Sequence, residues 1–410
     1  MSGAHGALSD LVPLEEALAR LSAGVRAVAR REEVPLEACA GRVLAQPVTA
    51  REDAPAGDRS RMDGYAVSVA DLGAPFPAVR RVQGRALADA ALLAPLAAGM
   101  CYEVATGALL PPGADAVVPA EETAPAPQPG AVTFLAAPGR GAHISRRGSD
   151  YRAGDEIVPA GARLTPARAA AAAAAGHTRV TVVGRPRLLV VPTGDEVVPV
   201  EGPLPAGRVR DSNSYGLAAL VAARGGAPDR HPVVGDDAAQ VAQALAEVAS
   251  YDAAVFSGGT SAGAKDHIAA SLAKAGTVSF HGVRIRPGKP ILFGQVQGVP
   301  VLGLPGNPTS CMVGAHLFLR PLVDSLLGAP PAQAPTVGAE LAGDIEGYAR
   351  ASPPGFLTLA LVSLAGGRAT PVLKDSMSVT GSSAADGYVE VAPGAAPPRR
   401  GDRVPVVLFG

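Results

Sequence analysis

Apolar residues at Leu14, Leu18, Leu21 and Val25 recur three and four positions apart, the spacing of one helical face, and predict a helix over Pro13–Ala29. A weaker version of the same pattern continues over Leu36–Leu44. Between about Thr49 and Gly148 the pattern shortens to small apolar runs cut by Pro and Gly, as in GMCYEVATGALLPPGADAVVPAEE. Such a stretch predicts a β-rich, loop-rich unit without a long helix. Thr165-Pro166 then opens a helix cleanly: Thr caps, Pro takes the first turn, an alanine run follows and Gly176 closes it. That helix reads as a spine or a join between domains.

From Arg187 onward strand, loop and helix alternate. RLLVVPTGDEV is a strand ending in Thr193-Gly194-Asp195, followed by the capped helix DSNSYGLAALVAARGG. HPVVGDD is a strand ending in two acids before the helix AAQVAQALAEVAS, and YDAAVFSGGTSAG runs a third strand into a glycine loop before HIAASLAKAG. VSFHGVRI, PGKPILFGQV and VPVLGLPGNP follow, then a long helix from Pro308 to about Leu327. This alternation predicts an α/β domain, an open and mostly parallel sheet with helices on both faces, whose ligands bind beyond the carboxyl ends of the strands. After the Pro/Ala linker GAPPAQAPTVGA the chain returns to short strands ending in VPVVLF, the pattern of a small β-barrel or sandwich.

Composition narrows what these units can do. At 410 residues the chain is too long for one core and reads as three or four domains. Only 18% of residues are charged and the formal net charge is -1, so no global basic field exists to hold nucleic acid. The alanine tract Ala169–Ala175 falls far short of the roughly 20 residues a membrane span needs. The start MSGAHGALSD shows no basic-then-apolar leader, and a soluble, cytoplasmic protein is the expectation. Cys39, Cys101 and Cys311 lie far apart with no zinc-ligand spacing, so neither disulfides nor a structural zinc is expected. The excess of arginine over lysine reads as genome composition.

The chemistry concentrates at the strand ends. In LPGNP, Asn307 sits where a helix cap belongs and Pro308 at the first helical position, an arrangement that turns free N–H groups outward and suits an anion. Ser257-Gly258-Gly259-Thr260-Ser261 has the makings of a backbone nest for phosphate. Arg286-Pro287-Gly288-Lys289-Pro290 places two cations around a turn, and Thr193-Gly194-Asp195-Glu196 and Gly235-Asp236-Asp237 add carboxylates. Phosphate donors, cations and acids together are the equipment for a magnesium-bound phosphate ester. A P-loop is excluded because Ala264 stands where its lysine must be and Lys265 comes one residue late, and no GxGxxG follows a strand. The histidines show no HxxxH or triad grouping and read as structural or surface residues, with His267 set apart by its neighbour Asp266.

In this order, GRVLAQPV, RSRMDGYAV, TGALLPPGADAVVP, RRGSD, AGDEIVPAG, PTGDEV, DSN, GDD, SGGTSAG, PGKP and LPGNP resemble the molybdopterin molybdenumtransferase (MoeA) family, related to the E domain of gephyrin and its plant counterpart. The resemblance covers essentially the whole chain. It implies an elongated helical domain from residues 8–50 and 146–180, a β-rich inserted domain at 51–145, a MogA-like α/β domain at 181–328 and a C-terminal β-barrel at 329–410. It also implies a homodimer in which the MDGYAV region of one subunit approaches the α/β pocket of the other. The implied reaction inserts molybdate into the dithiolene of adenylated molybdopterin and releases AMP, with Mg²⁺. A MogA-like adenylyltransferase and molybdoenzyme-maturation proteins are the implied partners.

By motif, the family's essential acids fall on Asp63, Asp150, Asp236 and Asp266, with Thr106 in TGALLP, and Asp236 and Asp266 are the implied Mg²⁺ ligands. Lys289 and Arg286 would neutralise charge on molybdate or the diphosphate. Substrate contacts fall on Arg146, Arg147, Thr193, Asp195, Glu196, Asp211, Asn213, Ser257, Gly258, Gly259, Thr260, Ser261, Gly288, Pro305, Gly306 and Asn307, with Ser376 and Ser378 in the tail. The chain departs from the family pattern in three places: Arg286 for a lysine before PGKP, Asp266-His267-Ile268-Ala269 for Asp-Tyr-x-Lys, and Pro354–Leu359 where arginines are usual. A second reading follows from these departures, a paralog that binds molybdopterin or serves as a scaffold without turnover. A third, a stand-alone adenylyltransferase or nucleotide hydrolase, conflicts with MDGYAV, RRGSD and a separate β tail.

Overall fold

The computed structural model describes residues 11–88, 93–260, 267–330, 333–347, 353–372 and 375–409. The α/β alternation becomes a six-stranded sheet in the order Ala227–Arg230, Arg187–Pro192, Ala253–Ser257, Val299–Leu304, Leu292–Val296 and Thr277–His281. The first four strands run parallel, Leu292–Val296 runs against them, and Thr277–His281 runs parallel to the first four again. Successive strand residues point to opposite faces, so the sheet carries two cores. Leu188, Val190, Val255 and Leu302 pack with Phe318, Leu322 and Val323 on one side. Leu189, Val191, Phe256 and Val301 pack with Leu245 and Leu272 on the other. The residues from Pro308 to Leu326 form the long helix, with one π turn at Ala315–Leu319 between its α segments.

The N-terminal helix is shorter than its pattern predicts, Leu14–Ala23. Gly24 closes it because the chain must pass the ring of Phe293, which a Cβ there would approach to 2.9 Å. Ala17 and Leu21 enter the α/β core. Leu36–Leu44 is not a helix. Leu36–Ala38 makes a single 3₁₀ turn, Gly41 takes a left-handed φ of +77°, and the preceding Arg31–Pro35 pairs as a strand with Arg179–Val183. The helix Pro166–Ala174 forms as expected, with the Thr165 hydroxyl accepting from the Arg168 N–H at 3.3 Å. It packs Ala172 against Leu44, Leu164 and Val182 in a small separate core.

Residues 64–134 hold a second six-stranded sheet, in the order Ala116–Pro119, Gly64–Val67, Met100–Val104, Ala78–Ala86, Ala131–Phe134 and Thr123–Pro125. The tail is a closed five-stranded barrel rather than a sandwich. Leu357–Ala365 pairs with Arg368–Pro371, then come Thr336–Leu341, Arg403–Leu408 and Gly387–Val391, which returns to Leu357–Ala365. Ile285–Arg286, from the α/β domain, adds a short parallel strand to the barrel at Leu357-Thr358.

Candidate functional site

Arg187–Pro192 leads on to Ala227–Arg230 on one side and its neighbour Ala253–Ser257 leads on to Thr277–His281 on the other, so the connections leave these two adjacent strands in opposite directions and open a crevice at their carboxyl ends. A cavity of about 860 Å³ occupies the crevice. Thr193, Glu196, Asp211, Asn213, Asp236, Ser257, Gly258, Gly259, Thr260, Pro305, Gly306 and Asn307, all predicted from sequence, line it.

Its floor is a junction of backbones. Thr193 donates its N–H to the Ser257 carbonyl at 2.9 Å, and Gly258 donates to the Leu304 carbonyl at 3.0 Å. Gly258 and Gly259 have φ of +98° and +58°, the left-handed region open to glycine, and since the Gly258 N–H is spent on Leu304, the N–H groups that follow it are the ones left for an anion. Thr260 is buried, and its hydroxyl makes no hydrogen bond among the described residues. Ser261 and Asp266 lie outside the described residues.

Asp195 and Asp236 lock the two acidic loops together. The Asp236 N–H donates to the Asp195 carboxylate at 3.0 Å, and the Asp195 N–H donates to Asp236 Oδ2 at 3.3 Å. Asp237, its neighbour in the sequence, instead caps the helix Ala238–Glu247 by accepting from the Ala239 and Gln240 N–H groups. Asp211 is also spent structurally: it is buried and accepts the Ser214 N–H at 3.0 Å and the Ser214 hydroxyl. The Asn213 amide donates to the Gly306 carbonyl at 2.8 Å and so ties the helix start to the LPGNP corner.

That corner differs from its sequence reading. Asn307 occupies the cap position, yet its side chain donates to the Ser376 hydroxyl at 3.1 Å rather than receiving a helix N–H. The Thr309 N–H donates to the Ser376 carbonyl at 3.1 Å, and the Thr309 hydroxyl to the Ser378 carbonyl at 2.6 Å. A segment of the tail therefore takes the donor that the pentapeptide suggested was free for an anion. The same segment brings Met377 and Val379 to the cavity mouth. Arg208 and Arg210 also reach the cavity and were missed. Their only signal was the cation spacing in GRVRDSN.

A second cavity, about 550 Å³, lies between the α/β domain and the barrel. Arg286, Gly288 and Lys289 line it with Ser376, Asp375 and Phe356, and Pro290 borders both cavities. Asp63, Thr106, Arg146, Arg147 and Asp150 line neither. Asp63 accepts from the Thr106 N–H at 2.7 Å and its hydroxyl at 3.1 Å, which binds two of the motifs to each other. Arg146 pairs with Asp58 and Arg147 with Asp53, each at 2.6 Å. Hydrogen bonds from the Ala153 backbone and then from Arg147 hold the Asp53 carboxyl below its ordinary range. Asp63 and Asp150 are exposed on this face.

Three family models match in chain order: the MoeA N-terminal region (domain I and II) at residues 12–176, a probable molybdopterin binding domain at 189–325 and the MoeA C-terminal region (domain IV) at 347–409. The chain is 31% identical to the molybdopterin molybdenumtransferase of Bacillus subtilis over 97% of this chain and 94% of that protein. It is 36% identical to molybdopterin molybdenumtransferase 2 of Mycobacterium tuberculosis over 80% and 82% of the two chains. The crystal structure of a molybdopterin biosynthesis MoeA protein from Pyrococcus horikoshii superposes with a TM-score of 0.78 at 31% identity, covering 98% of this chain and all of that one. Sequence, domain order and fold agree, and the chain belongs to the molybdopterin molybdenumtransferase family of transferase enzymes.

Proposed function

We propose that this chain inserts molybdate into the dithiolene of adenylated molybdopterin, a step in which water cleaves the phosphoanhydride and AMP leaves. The observation that supports it most directly is the pairing of two cavities around Pro290, one floored by the Gly258–Gly259 nest and edged by Asp236, the other carrying Arg286 and Lys289. The nest and the Thr260 hydroxyl hold phosphate oxygens, and the two cations hold the tetrahedral oxyanion. The four-domain division 8–50 with 146–180, 51–145, 181–328 and 329–410 belongs to the same proposal. So does a homodimer, which brings the exposed Asp63 and Asp150 of one copy to the cavity of the other.

Magnesium suits this site only as a shared ion. Among the described residues no group of three or more His, Cys, Asp or Glu side chains could hold a metal by itself. The donors at the cavity edge are carboxylate oxygens, led by Asp236, and Mg²⁺ is commonly held by one or two carboxylates together with substrate phosphates and water. Asp236, with Asp266 from the adjoining motif, would hold the ion, which supplies charge neutralisation on the diphosphate.

Single-turnover AMP release from adenylated molybdopterin tests the proposal. Release that requires molybdate and Mg²⁺, and that falls about a hundredfold or more in Asp236→Ala, is the expected result. Tight pterin binding without AMP release in the wild type would overturn it in favour of the binding paralog, a reading motivated by Phe356 lining the cation-bearing cavity.

A further inference from the structure

The strand-end cavity is short of positive charge. Glu196, Asp211 and Asp236 line it, and among the described residues the cations of its lining are Arg208 and Arg210. Arg286 and Lys289 line the neighbouring cavity instead. A phosphate on this floor therefore meets carboxylates, and backbone N–H groups carry no full charge to offset them.

Both arginines belong to one loop and the strand that closes it. Val197–Val198 pairs with Val209–Arg210, the Val209 N–H donating to the Glu196 carbonyl and the Asp211 N–H to the Val198 carbonyl, each at 2.9 Å. This pairing clamps residues 199–208 at their base, and the loop is exposed along its length. Its shape is set locally. Pro203 and Pro205 fix their own φ. The Arg208 N–H donates to the Pro205 carbonyl at 3.2 Å, and Gly207, third in that turn, has φ of +76°, which glycine adopts without strain. The turn sets Arg208 at the cavity.

The two guanidiniums are used differently. Arg210 turns back into its own loop, its Nε donating to the Val200 carbonyl and its Nη2 to the Gly202 carbonyl, both at 3.0 Å. The Arg208 side chain makes no hydrogen bond or ion pair among the described residues. We infer that Arg208 is a phosphate-binding residue of this cavity and that Arg210 is a positioning residue, bracing the loop that carries it. The inference rests on the proposed function, from which it takes the phosphate. A guanidinium is a planar fork of N–H donors that fits two phosphate oxygens at once. A loop already braced also gives up less conformational freedom when it grips them.

Calorimetric titration of the full chain with pyrophosphate tests this. Arg208→Ala is expected to weaken binding about tenfold or more, with the unfolding midpoint unchanged because the side chain is exposed. Arg208→Lys, which keeps the charge and loses the fork, is expected to recover part of that loss. Arg210→Ala is expected to weaken binding about threefold in the wild type and not at all in the Arg208→Ala background, since a brace acts only through the residue it positions. Binding by Arg208→Ala within about twofold of the wild type overturns the assignment, and an equal loss on Arg210→Ala in both backgrounds overturns the positioning role. A wild type that binds no pyrophosphate removes the phosphate reading of the cavity and the inference with it. Arginine-dependent binding in a wild type that releases no AMP with molybdate would instead leave Arg208 in place and remove only the proposed reaction.

Discussion

At Gly258 the floor of the strand-end cavity depends on having no side chain. A Cβ there would sit 2.5 Å from the Thr193 carbonyl oxygen, and φ of +98° already disfavours any other residue. Gly258→Ala is therefore expected to destabilise the fold by about 1–3 kcal/mol and to abolish pyrophosphate binding, read by thermal unfolding and by calorimetric titration. A variant that binds pyrophosphate normally would sink the nest assignment. The residue scale is also where sequence reading had least purchase. The chemistry of GDD left its two acids equal and only the family motif picked Asp236, whereas the fold gives the physical reason, with Asp237 capping the helix that follows and Asp236 lining the cavity. Asn307 was legible as a cap position, but its actual partner, Ser376, lies 69 residues away.

At the scale of elements, the strand, loop and helix alternation was readable because buried parallel strands are near-continuous apolar runs and their helices carry caps. Short two-residue strands such as Ile285–Arg286 gave no periodicity to read. The misread helix at Leu36–Leu44 has its physical reason in Gly41 and in the pairing of Arg31–Pro35, a tertiary contact with a segment nearly 150 residues later. The long helix survives Pro321, four residues after Leu317, because the π turn Ala315–Leu319 absorbs the lost bond. One buried acid pins this helix to two other elements: Asp324 receives Arg163 at 2.8 Å and Arg224 at 2.7 Å. Asp324→Ala leaves two part-buried guanidiniums without their acid, and a loss of about 3–5 kcal/mol in denaturant unfolding is expected. A loss under about 1 kcal/mol would show that the triad is dispensable.

For the whole molecule, the interface between the α/β domain and the barrel is where acid should act. Burial, with the charge of Arg320 in support, lowers the His316 pKa to about 4 in the folded chain against 6.5 when unfolded, so only the unfolded state takes up that proton as pH falls between those values. Stability from this group is full above about pH 7, declines toward pH 4 and changes no further below it, a total of about 3 kcal/mol. His316→Phe is expected to lose about 1.4 kcal/mol less than the wild type between about pH 7.5 and pH 5.5. Parallel pH dependence of urea midpoints in the two proteins would refute the assignment.

The domain order was legible from ordered motifs, whereas the way the barrel engages the α/β domain was not, since its contacts join short loops far apart in sequence. Among these contacts, the pairing of Ile285–Arg286 with Leu357-Thr358 places the cation turn inside the barrel's own sheet. Arg286 and Lys289 thus ride on a strut shared by two bodies. If the barrel swings outward, it must either shear two rungs of backbone hydrogen bonding or carry the cations with it. Under the proposed function, opening the way out for a product and withdrawing the positive charge proposed to hold it become a single mechanical stroke.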